Sequence, residues 1–343
     1  MKKTLITEIS LQELKDFLSQ HHEKSFRAKQ IMEWLWKKGV SSFDEMSNLS
    51  LSLRELLTQH FELNRIKIEQ ELKSVDGTVK FIFLLHDNCL IEGVLIPSSH
   101  RVTACISSQA GCPLGCKFCA TGSMGFKRNL HYSEIFDQFL LMNQKAKEYF
   151  DKNISNIVYM GMGEPLLNYD NVLKSIELLT SKEGQELSPS RITLSTVGII
   201  SEIKRLVDDG FKSGLAISLH SADEKIRKQL MPVENKNPLP ALQEAIRYFS
   251  EKTGERITLE YLMLQNINDT LQDAEKLSKF CRAFPVKINI IEYNPSKYSE
   301  YKASYPDKIK QFADYLESKN MIVNLRKSKG RDIAAACGQL AAT

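Results

Sequence analysis

Residues 107–122 read SSQAGCPLGCKFCATG. This stretch places three cysteines at the spacing C-x3-C-x2-C, namely Cys112, Cys116 and Cys119. Structural zinc sites usually take four nitrogen or sulfur ligands, often from two C-x2-C pairs. The nearest fourth ligands here are Cys105 and His131, so a zinc site is possible but poorly formed. Bacterial ferredoxins use C-x2-C-x2-C with a fourth cysteine, which is again a different spacing. The triplet favours an iron–sulfur cluster with three protein ligands and one iron open to another molecule.

The chain around this stretch alternates predicted strands and helices. Strand candidates are residues 103–108, 156–163, 191–198, 214–221, 257–264, 287–294 and 321–328. Helical patterns between them cover 133–150, 171–181, 200–210, 240–254 and 271–284. This rhythm is typical of parallel strands with crossover helices. About six repeats with continuously apolar strands favour an α/β fold of the full or partial β/α barrel type over an open doubly wound sheet.

Residues 1–95 have a different pattern and are predicted to form an accessory domain, with residues 96–343 as the catalytic domain. Apolar residues at three-to-four spacing predict helices over 11–20, 26–36 and 53–61. Three β-rich segments then follow, at 66–72, 79–87 and 90–97, separated by Asp-Gly and Asp-Asn turns. They predict a small antiparallel meander.

The composition is that of an ordinary globular protein. The 343 residues are 42% apolar and 26% charged. The densest apolar run, FIFLL (81–85), is far too short for a membrane span, and the N-terminus does not resemble a signal peptide. We therefore expect no membrane association, a cytoplasmic location and, by default, a monomer. A net charge of +4 does not by itself indicate nucleic acid, and seven cysteines in a reducing compartment favour metal binding or catalysis over disulfides.

The cysteine triplet, with the aromatic Phe118 before its last member, resembles the signature of the radical S-adenosylmethionine (SAM) superfamily. The stretch also follows the first strand of a β/α repeat, where barrel enzymes carry their sites. The resemblance implies a partial (β/α)6 barrel and a [4Fe–4S] cluster held by the three cysteines. It further implies that the open iron binds the amino and carboxylate groups of SAM, whose reductive cleavage gives a 5′-deoxyadenosyl radical.

Further motifs after predicted strands strengthen this resemblance. GMGEP (161–165) is similar to the superfamily's glycine-rich motif, in which the glycines allow close backbone approach and a carboxylate accepts hydrogen bonds from an ammonium group. LSTVG (194–198), ISLHS (217–221) and EYNP (292–295) would carry polar atoms to the C-terminal face of the barrel. The SAM-binding residues implied by the resemblance are Gly163, Glu164, Ser195, Ser218, Leu219, His220 and Asn294.

The motifs taken in order, ending with ACGQLAA (336–342), resemble the RlmN/Cfr family of RNA methyltransferases over essentially the whole chain. Pro165, the KINI strand and the ACGQLAA ending are closer to the branch that makes 2-methyladenosine. Its implied substrates are 23S ribosomal RNA, at the peptidyl-transferase centre, and the adenosine 3′ to the anticodon in transfer RNA. The branch that methylates C8 of a 23S ribosomal RNA adenosine stays the alternative.

Adenine C2 carries no nucleophilic lone pair, so a direct polar transfer from SAM has nothing to attack it. The resemblance implies that Cys337 takes a methyl group from a first SAM and that a radical from a second SAM activates this group for addition to C2. Glu92 is implied as the proton acceptor. Cys105 is implied to release the product through a transient disulfide with Cys337. The reaction would use two SAM molecules per turnover, with a flavodoxin and its reductase as electron donor.

Basic residues flank the expected site at Lys127, Arg128 and 326–331, and others lie on the N-terminal helices. The latter are Lys24, Arg27, Lys29, Lys37 and Lys38. We expect them to contact RNA phosphates, while the target adenosine leaves its stack to enter the barrel mouth.

Two other functions stay open from the residues alone. One is a zinc-stabilised RNA-binding module, which predicts no iron–sulfur cluster. The other is a radical SAM enzyme with another substrate, such as a protein-activating enzyme, which predicts no need for Cys337. Of the remaining cysteines, Cys281 is predicted to lie in the core of a helix packing face.

Overall fold

The structure is a computed structural model that describes residues 3–341. Its helices are α1 (Leu11–Gln20), α2 (Arg27–Met32), α3 (Leu51–His60), α4 (Ala120–Ser123), α5 (Tyr132–Phe150), α6 (Tyr169–Thr180), α7 (Ile200–Asp208), α8 (Glu224–Leu230), α9 (Leu239–Thr253), α10 (Leu271–Phe280) and α11 (Pro306–Ser318). Its strands are β1 (Thr4–Leu5), β2 (Phe61–Glu62), β3 (Lys67–Lys73), β4 (Val79–Leu84), β5 (Leu90–Pro97), β6 (Val102–Cys105), β7 (Gln109–Gly111), β8 (Phe126–Asn129), β9 (Asn156–Tyr159), β10 (Ile192–Thr196), β11 (Gly214–Ser218), β12 (Ile257–Met263), β13 (Val286–Glu292) and β14 (Ile322–Arg326).

The N-terminal helices form where the apolar spacing predicts them. Ser10 and Glu13 make a reciprocal capping box at the start of α1, which satisfies two backbone donors that the first turn leaves free. The inward face of α1 buries Leu14 and Leu18 completely. Helix α2 continues as a π-helical turn over Glu33–Lys38, so the predicted helix extends to that point with looser winding.

One sheet of ten strands runs through the molecule in the order β14-β13-β12-β11-β10-β9-β6-β5-β4-β3. The strands from β6 to β14 in this sheet are parallel, and each of the first six is followed by at least one helix before the next. The predicted α/β fold with six strand–helix units is therefore confirmed, and β14 adds a seventh parallel strand.

The antiparallel meander β3–β4–β5 is not a separate sheet. Val94 and Leu95 of β5 pair with Cys105 and Ala104 of β6, so the meander is hydrogen-bonded to the first strand of the barrel. The division between residues 95 and 96 into two domains stays a prediction, because the sheet passes through it without a break.

Contacts inside the sheet show that it is curved. Nη1 of Arg326, on β14, lies 3.9 Å from the sulfur of Met160, which follows β9. In a flat sheet these strands would be five spacings, about 24 Å, apart. The same guanidinium lies 3.3 Å from Oε2 of Glu260 on β12. The sheet therefore curls into a partial barrel, and the side chains of its concave face meet one another.

A search of residues 3–341 finds no helix that combines the length and the apolar character needed to span a membrane.

The sequence patterns predicted α1, α5 and α9 to within a residue or so. They did not predict α4 and α8, which are only four and seven residues long, nor the longer α11. The hairpin of β7 and β8 was also not predicted, because its strands are only three and four residues long.

Candidate active site

A cavity enclosing about 960 Å³, including its mouth toward solvent, opens at the C-terminal ends of β9 to β13. Nine of the thirteen residues that the sequence singled out line it: Cys112, Cys116, Cys119, Gly163, Glu164, Ser195, Ser218, His220 and Cys337. The other four, Cys105, Glu92, Leu219 and Asn294, lie off the wall. The concave end of a parallel sheet thus gathers the cysteine loop, the glycine-rich motif and the C-terminal cysteine.

The cysteine loop is held at its base by the short hairpin of β7 and β8. The backbone N–H of Cys112 donates to the carbonyl oxygen of Gly125 at 2.9 Å. Gly111, just before it, has a φ of +77°, and a Cβ there would lie 2.0 Å from the Gly125 oxygen. Only glycine fits at this position, so the two ends of the loop approach each other closely. Further along, the N–H of Lys117 donates to the carbonyl oxygen of Leu230 at 3.0 Å.

Two thiols of this loop hold their protons strongly when no cation is near. Desolvation is the main cause, with smaller contributions from the charges of Cys119 and Glu164; together they raise the pKa of Cys112 to about 12 and that of Cys116 well above its ordinary value. Positive metal charge would reverse this balance, since a coordinating thiol is deprotonated by its metal. The site therefore suits sulfur ligands to a metal group rather than free thiolates.

Among residues 3–341, no three His, Cys, Asp or Glu side chains converge closely enough to hold a single metal ion. A tetrahedral zinc ion at about 2.3 Å from each sulfur requires such convergence. A polynuclear iron–sulfur cluster separates its cysteine sulfurs further, because each cysteine binds a different iron. The three thiols on one wall of the cavity fit the larger group.

Glu164 lies fully enclosed between the ends of β9 and β10. Its Oε1 accepts from the N–H of Leu166 at 3.0 Å, and its Oε2 accepts from the N–H of Val197 at 2.9 Å. Burial raises the pKa of Glu164 to about 7, although the bonds from Val197, Thr196 and Leu166 oppose this rise. A carboxylate fixed in this way can accept a hydrogen bond from an ammonium group in the cavity.

The glycine-rich turn before Glu164 is closely packed against the loop after β6. A Cβ on Gly161 would lie 2.6 Å from the carbonyl oxygen of Ile106. Gly163 has a φ of +99°, and a Cβ there would lie 2.5 Å from the Cβ of Gln109. The side chain of Gln109 also accepts from the N–H of Glu164 at 2.8 Å. The glycines thus let the carboxylate reach the cavity wall.

His220 is neutral and its tautomer is fixed. Its Nδ1 accepts from the N–H of Leu262 at 3.1 Å, so the proton sits on Nε2. Desolvation, with a smaller contribution from the charge of Arg227, lowers the pKa of His220 to about 3. The ring meets Phe118 of the cysteine loop edge-on, with centroids 4.8 Å apart. His220 therefore offers a single N–H donor beside the cysteine loop.

Two of the predicted SAM-binding residues do not reach the cavity wall. Leu219 is completely buried in the apolar core. Asn294 is also buried; its Nδ2 donates to the carbonyl oxygen of Glu292 at 3.3 Å, while its Oδ1 has no hydrogen-bond partner. A buried amide oxygen without a partner is costly unless a ligand or water completes it, so Asn294 keeps capacity for an added donor.

Cys337 lies on a tail segment that runs across the cavity and retains solvent access there. Desolvation by the surrounding walls raises the pKa of its thiol to about 11. Arg326 lowers this pKa, whereas Glu260 and Cys119 raise it. The thiol is thus within electrostatic range of both the cysteine loop and the polar barrel interior.

The tail is held by residues from distant parts of the chain. Asp332 accepts from the hydroxyl of Ser74 at 2.5 Å, at the turn between β3 and β4. The N–H of Ala120 donates to the carbonyl oxygen of Gly338 at 2.8 Å. The side-chain amide of Gln339 donates to the carbonyl oxygen of Pro295 at 2.9 Å. The meander and the cysteine loop together therefore position the segment that carries Cys337.

Cys105 and Glu92 are buried and do not line the cavity. Desolvation, with a smaller contribution from the charge of Cys337, raises the pKa of Cys105 to about 12. Glu92 is ion-paired with Lys80, its Oε1 lying 3.2 Å from Nζ, and its Oε2 accepts from the N–H of Ala341 at 3.1 Å. Burial raises the pKa of Glu92, while Lys80 and Ala341 oppose the rise.

The sequence analysis missed a polar network on the concave face of the barrel. The amide of Asn324 donates to Oδ1 of Asn289 at 3.1 Å, and the amide of Asn289 donates to Oε1 of Glu260 at 2.8 Å. Arg326 completes it on the other carboxylate oxygen. The signal was a charged residue inside each of two strands, ITLEYLM and IVNLR. Glu260 lines the cavity, so this network borders the site.

Two of the basic residues expected to contact RNA phosphates already pair with carboxylates of the protein itself. The guanidinium of Arg128 bonds both Asp87, at 2.6 Å, and Glu134, at 2.7 Å. Lys37 pairs with Glu186 at 3.0 Å. These cations are engaged with carboxylates of the same molecule, so they are not free for phosphate without giving up those partners.

Comparisons with known proteins agree with this geometry. Residues 5–63 match the family described as ribosomal RNA large subunit methyltransferase N-terminal domain, and residues 106–281 match the radical SAM superfamily. The chain is 50% identical to a probable dual-specificity RNA methyltransferase RlmN of Cytophaga hutchinsonii, over 99% of this chain and 93% of that protein. It is 47% identical to the protein of that name in Flavobacterium psychrophilum, over 99% and 98%. The crystal structure of a radical SAM methyltransferase from Sphaerobacter thermophilus superposes with a TM-score of 0.94 at 34% identity, over 99% of this chain and 100% of the other.

Proposed function

The chain belongs to the RlmN family of the radical SAM superfamily, and we propose that it methylates C2 of adenosine in RNA through a methyl group carried on Cys337. Its substrates would be one adenosine at the peptidyl-transferase centre of 23S ribosomal RNA and the adenosine 3′ to the anticodon in transfer RNAs. Membership of the superfamily implies SAM and a [4Fe–4S] cluster as cofactors. The identity with relatives named as dual-specificity enzymes supports both RNA classes.

One observation carries the proposal: Cys337 and the three-cysteine loop share one cavity. An enzyme that only makes a radical has no use for a further solvent-accessible thiol beside its cluster site. A methyl carrier does need one, because the thiol must meet SAM first and the target base afterwards. The bond from Ala120 to Gly338 supports this reading, since it fixes the tail directly against the cysteine loop.

The residues on the cavity wall divide into two sets by their chemistry. Cys112, Cys116 and Cys119 would hold the cluster through sulfur. Glu164 would accept from the ammonium of SAM, and the Nε2–H of His220 would donate to an oxygen of the same molecule. Hydroxyls of Ser195 and Ser218 add neutral donors. The orphaned Oδ1 of Asn294 would gain a partner if the wall shifted toward a ligand. When bound, the cluster and SAM together supply the one-electron chemistry that activates an unreactive C–H bond.

Cys337 would take up the methyl group from a first SAM after losing its proton: the new S–C bond forms as the sulfonium S–CH3 bond breaks, and S-adenosylhomocysteine leaves. With a pKa of about 11 the thiol is mostly protonated when the cavity holds water alone. Arg326 favours the thiolate, and a cationic sulfonium beside the sulfur would favour it further. The carrier thiol is therefore activated chiefly when its methyl donor is present.

Cys105 would release the product by attacking the Cys337 sulfur. The disulfide forms as the bond between that sulfur and the methylene carbon on the base breaks, and the carbon keeps the electron pair and takes a proton to become the methyl group. The backbone of Met160 hydrogen-bonds the Cys105 sulfur, and Cys105 does not line the cavity. While Cys337 carries its methyl group its sulfur is a thioether, so it cannot form a disulfide with Cys105.

Glu92 would accept the proton that leaves C2. Burial raises the pKa of its carboxyl group, which makes the carboxylate a stronger base than an exposed one, while the ion pair with Lys80 opposes this rise. It is reached from the cavity only past the tail, since the N–H of Ala341 bonds its Oε2.

The RNA and the electron donor would approach the open mouth of the cavity, and a monomer suffices for the chemistry, because every proposed group comes from one chain. A flavodoxin with its reductase is the proposed donor. Phosphate contacts would fall to lysines without a buried carboxylate partner. Lys38, whose Nζ lies 3.5 Å from the Trp34 ring centroid, offers both charge and an aromatic face.

Nucleoside mass spectrometry tests the proposal. Ribosomal and transfer RNA are digested from cells with and without this protein and compared for methyladenosine isomers. We expect 2-methyladenosine in both RNA classes only when the protein is present. If 8-methyladenosine appears instead, the enzyme has the C8 specificity, and if neither isomer depends on the protein, the RNA methylation proposal is wrong.

A further inference from the structure

Two oppositely charged residues lie buried side by side in the meander, on strands that are otherwise apolar. Lys80 of β4 stands opposite Val94, and Glu92 of β5 stands opposite Ile82, so the charged pair lies diagonally on one face of the sheet. Lys80 is 6% exposed and Glu92 1% exposed. Their Nζ and Oε1 atoms are 3.2 Å apart. Burial of two charges is costly, so the pair requires a reason beyond stability.

Each of the two side chains also bonds the backbone of the tail. Nζ of Lys80 donates to the carbonyl oxygen of Ala334 at 3.3 Å, and Oε2 of Glu92 accepts from the N–H of Ala341 at 3.1 Å. Cys337 lies between these two points in the chain. The ion pair therefore closes the base of a loop formed by residues 334–341, which we name the carrier loop.

The carrier loop is held under strain at its first residue. Ala334 has a φ of +51°, in the left-handed region that residues with a Cβ seldom adopt. Such a conformation persists only where the surroundings hold it. The bond from Lys80 to the Ala334 carbonyl is one of these constraints, so weakening it would let the loop relax.

We propose that Lys80 and Glu92 form a latch that holds the carrier loop at the cavity while Glu92 is ionised and loosens it when Glu92 takes up a proton. This rests on the proposed function, in which Glu92 receives the proton from C2. In that step one O–H bond forms on the carboxylate and one of the two charges of the pair disappears. No other bond forms or breaks in the latch, and no electron is transferred.

The charge of Glu92 determines how strongly it binds Lys80 and the carrier loop. Among the described residues, Lys80 is the charged group in contact with it; its other neighbours are the Ala341 N–H, the sulfur of Met162 and the hydroxyl of Ser107, which bonds its carbonyl oxygen. When the carboxyl becomes neutral, the Ala341 N–H faces a weaker acceptor and Lys80 loses its counter-charge. Loosening would follow proton uptake in time, and it would free the Cys337 sulfur for the exchange with Cys105.

The test measures the carrier loop directly in the holoenzyme, prepared without oxygen. Hydrogen exchange of the peptide covering 334–341 reports its opening, and the alkylation rate of the fraction of Cys337 that carries no methyl group, read by peptide mass spectrometry, reports thiol access. Glu92→Gln imitates the protonated state, and Lys80→Met removes the other charge. We expect each to raise both rates about tenfold, whereas Lys80→Arg stays close to the natural protein. Lys174→Met serves as the control, because Lys174 pairs with Glu177 on an exposed helix face.

The double variant Lys80→Met/Glu92→Gln guards against misfolding caused by a single buried charge. Since both singles break the same pair, the double should exchange no faster than either single. Unchanged exchange and alkylation in all three variants would overturn the latch.

The same variants separate the latch from the proposed base role. If Glu92→Gln abolishes methylated product but leaves the carrier loop protected, the base role stands and the latch is wrong. If the loop loosens while product still forms at the natural rate, the latch stands and Glu92 is not the proton acceptor.

Discussion

The hydroxyl of Thr121 donates a hydrogen bond of 2.6 Å to the carbonyl oxygen of Leu340, which lies 219 positions further along the chain. Thr121 lies two residues after Cys119, and Leu340 lies three residues after Cys337. The bond is buried, so it is shielded from competing water. The segment after the cysteine triplet and the segment after Cys337 are therefore bonded to each other beside the cavity that both line.

Cys337→Ser should abolish methylation of RNA while leaving the iron content unchanged. Serine keeps the size and the hydrogen-bonding of the side chain but is a far poorer methyl acceptor, and Cys337 is not among the proposed iron ligands. Nucleoside analysis of RNA and iron assay of the purified protein check the two halves. Intact mass of the natural protein should show one methyl group on Cys337, and its absence there would contradict the carrier role.

Cys116→Ala should lose most of the iron, whereas Cys281→Ala should retain it. Both thiols are buried, with 8% and 3% exposure, so loss of packing is comparable in the two variants. Only Cys116 lies on the cavity wall. Iron and sulfide assays of both variants after anaerobic purification measure this difference. Equal iron in both variants would exclude Cys116 as a cluster ligand, whereas a natural protein without iron would favour the zinc module.

Gly163→Ala should weaken SAM binding at least tenfold, while Gly210→Ala should not. Both glycines have positive φ, +99° and +67°, so both alanines carry a backbone cost of about 1–2 kcal/mol. A Cβ at Gly163 would also collide with Gln109, whereas nothing lies within 4 Å of one at Gly210. Equilibrium dialysis of SAM against each variant measures the difference. Similar affinities would mean that the turn before Glu164 does not shape the SAM site.

SAM affinity should rise about tenfold between pH 5.5 and 7, as Glu164 with its pKa of about 7 becomes ionised. It should fall again above pH 8, where the ligand's own ammonium loses its proton. Because folding raises the pKa of this acid from 4.5, the protein without ligand should lose stability as the pH rises from 4.5 to 7. Glu164→Gln should bind SAM weakly, and its affinity should not rise between pH 5.5 and 7. A natural protein with flat affinity across this range would contradict the assignment.

Arg227→Met should destabilise the fold by about 3–5 kcal/mol, because it leaves Glu234 buried without its counter-charge. Arg227 is fully buried, bonds Glu234, and donates to the carbonyl oxygen of Val197 at 2.7 Å. The double variant Arg227→Met/Glu234→Met should recover most of the loss, since no charge then remains unpaired. Denaturant unfolding of the three proteins measures the cycle; a double variant as unstable as the single would contradict the pairing.

Much of this architecture could be predicted from the sequence, because strand and helix periods differ and the chain repeats them regularly. Helix α1 has the predicted bounds, and the cysteine loop follows the first parallel strand as expected. The pairing of β5 with β6 could not be predicted, because alternation fixes which face of a strand is buried but not which neighbour its edge meets. For the same reason, the sequence did not predict the curvature of the sheet, which brings Arg326 close to Met160.

The site was predicted unevenly for similar reasons. Residues in short contiguous motifs, such as Glu164, could be found because one turn carries several of them. Lys80 could not, since a lysine in an apolar strand is usually taken as an edge residue, and its partners lie 12 and 254 positions away. Asn294 and Leu219 follow strands as predicted, but motif position does not specify which neighbouring side chain faces the cavity.

The tail depends on bonds to Ser74, Lys80 and Glu92, at separations of about 250 residues. Contacts this distant form late, because the intervening chain must first be ordered. A growing polypeptide can therefore complete its meander and most of its barrel before Cys337 is bound in the cavity. Unfinished chains on the ribosome would then be inactive, and the cavity would gain its methyl carrier only after the tail has bonded to the meander.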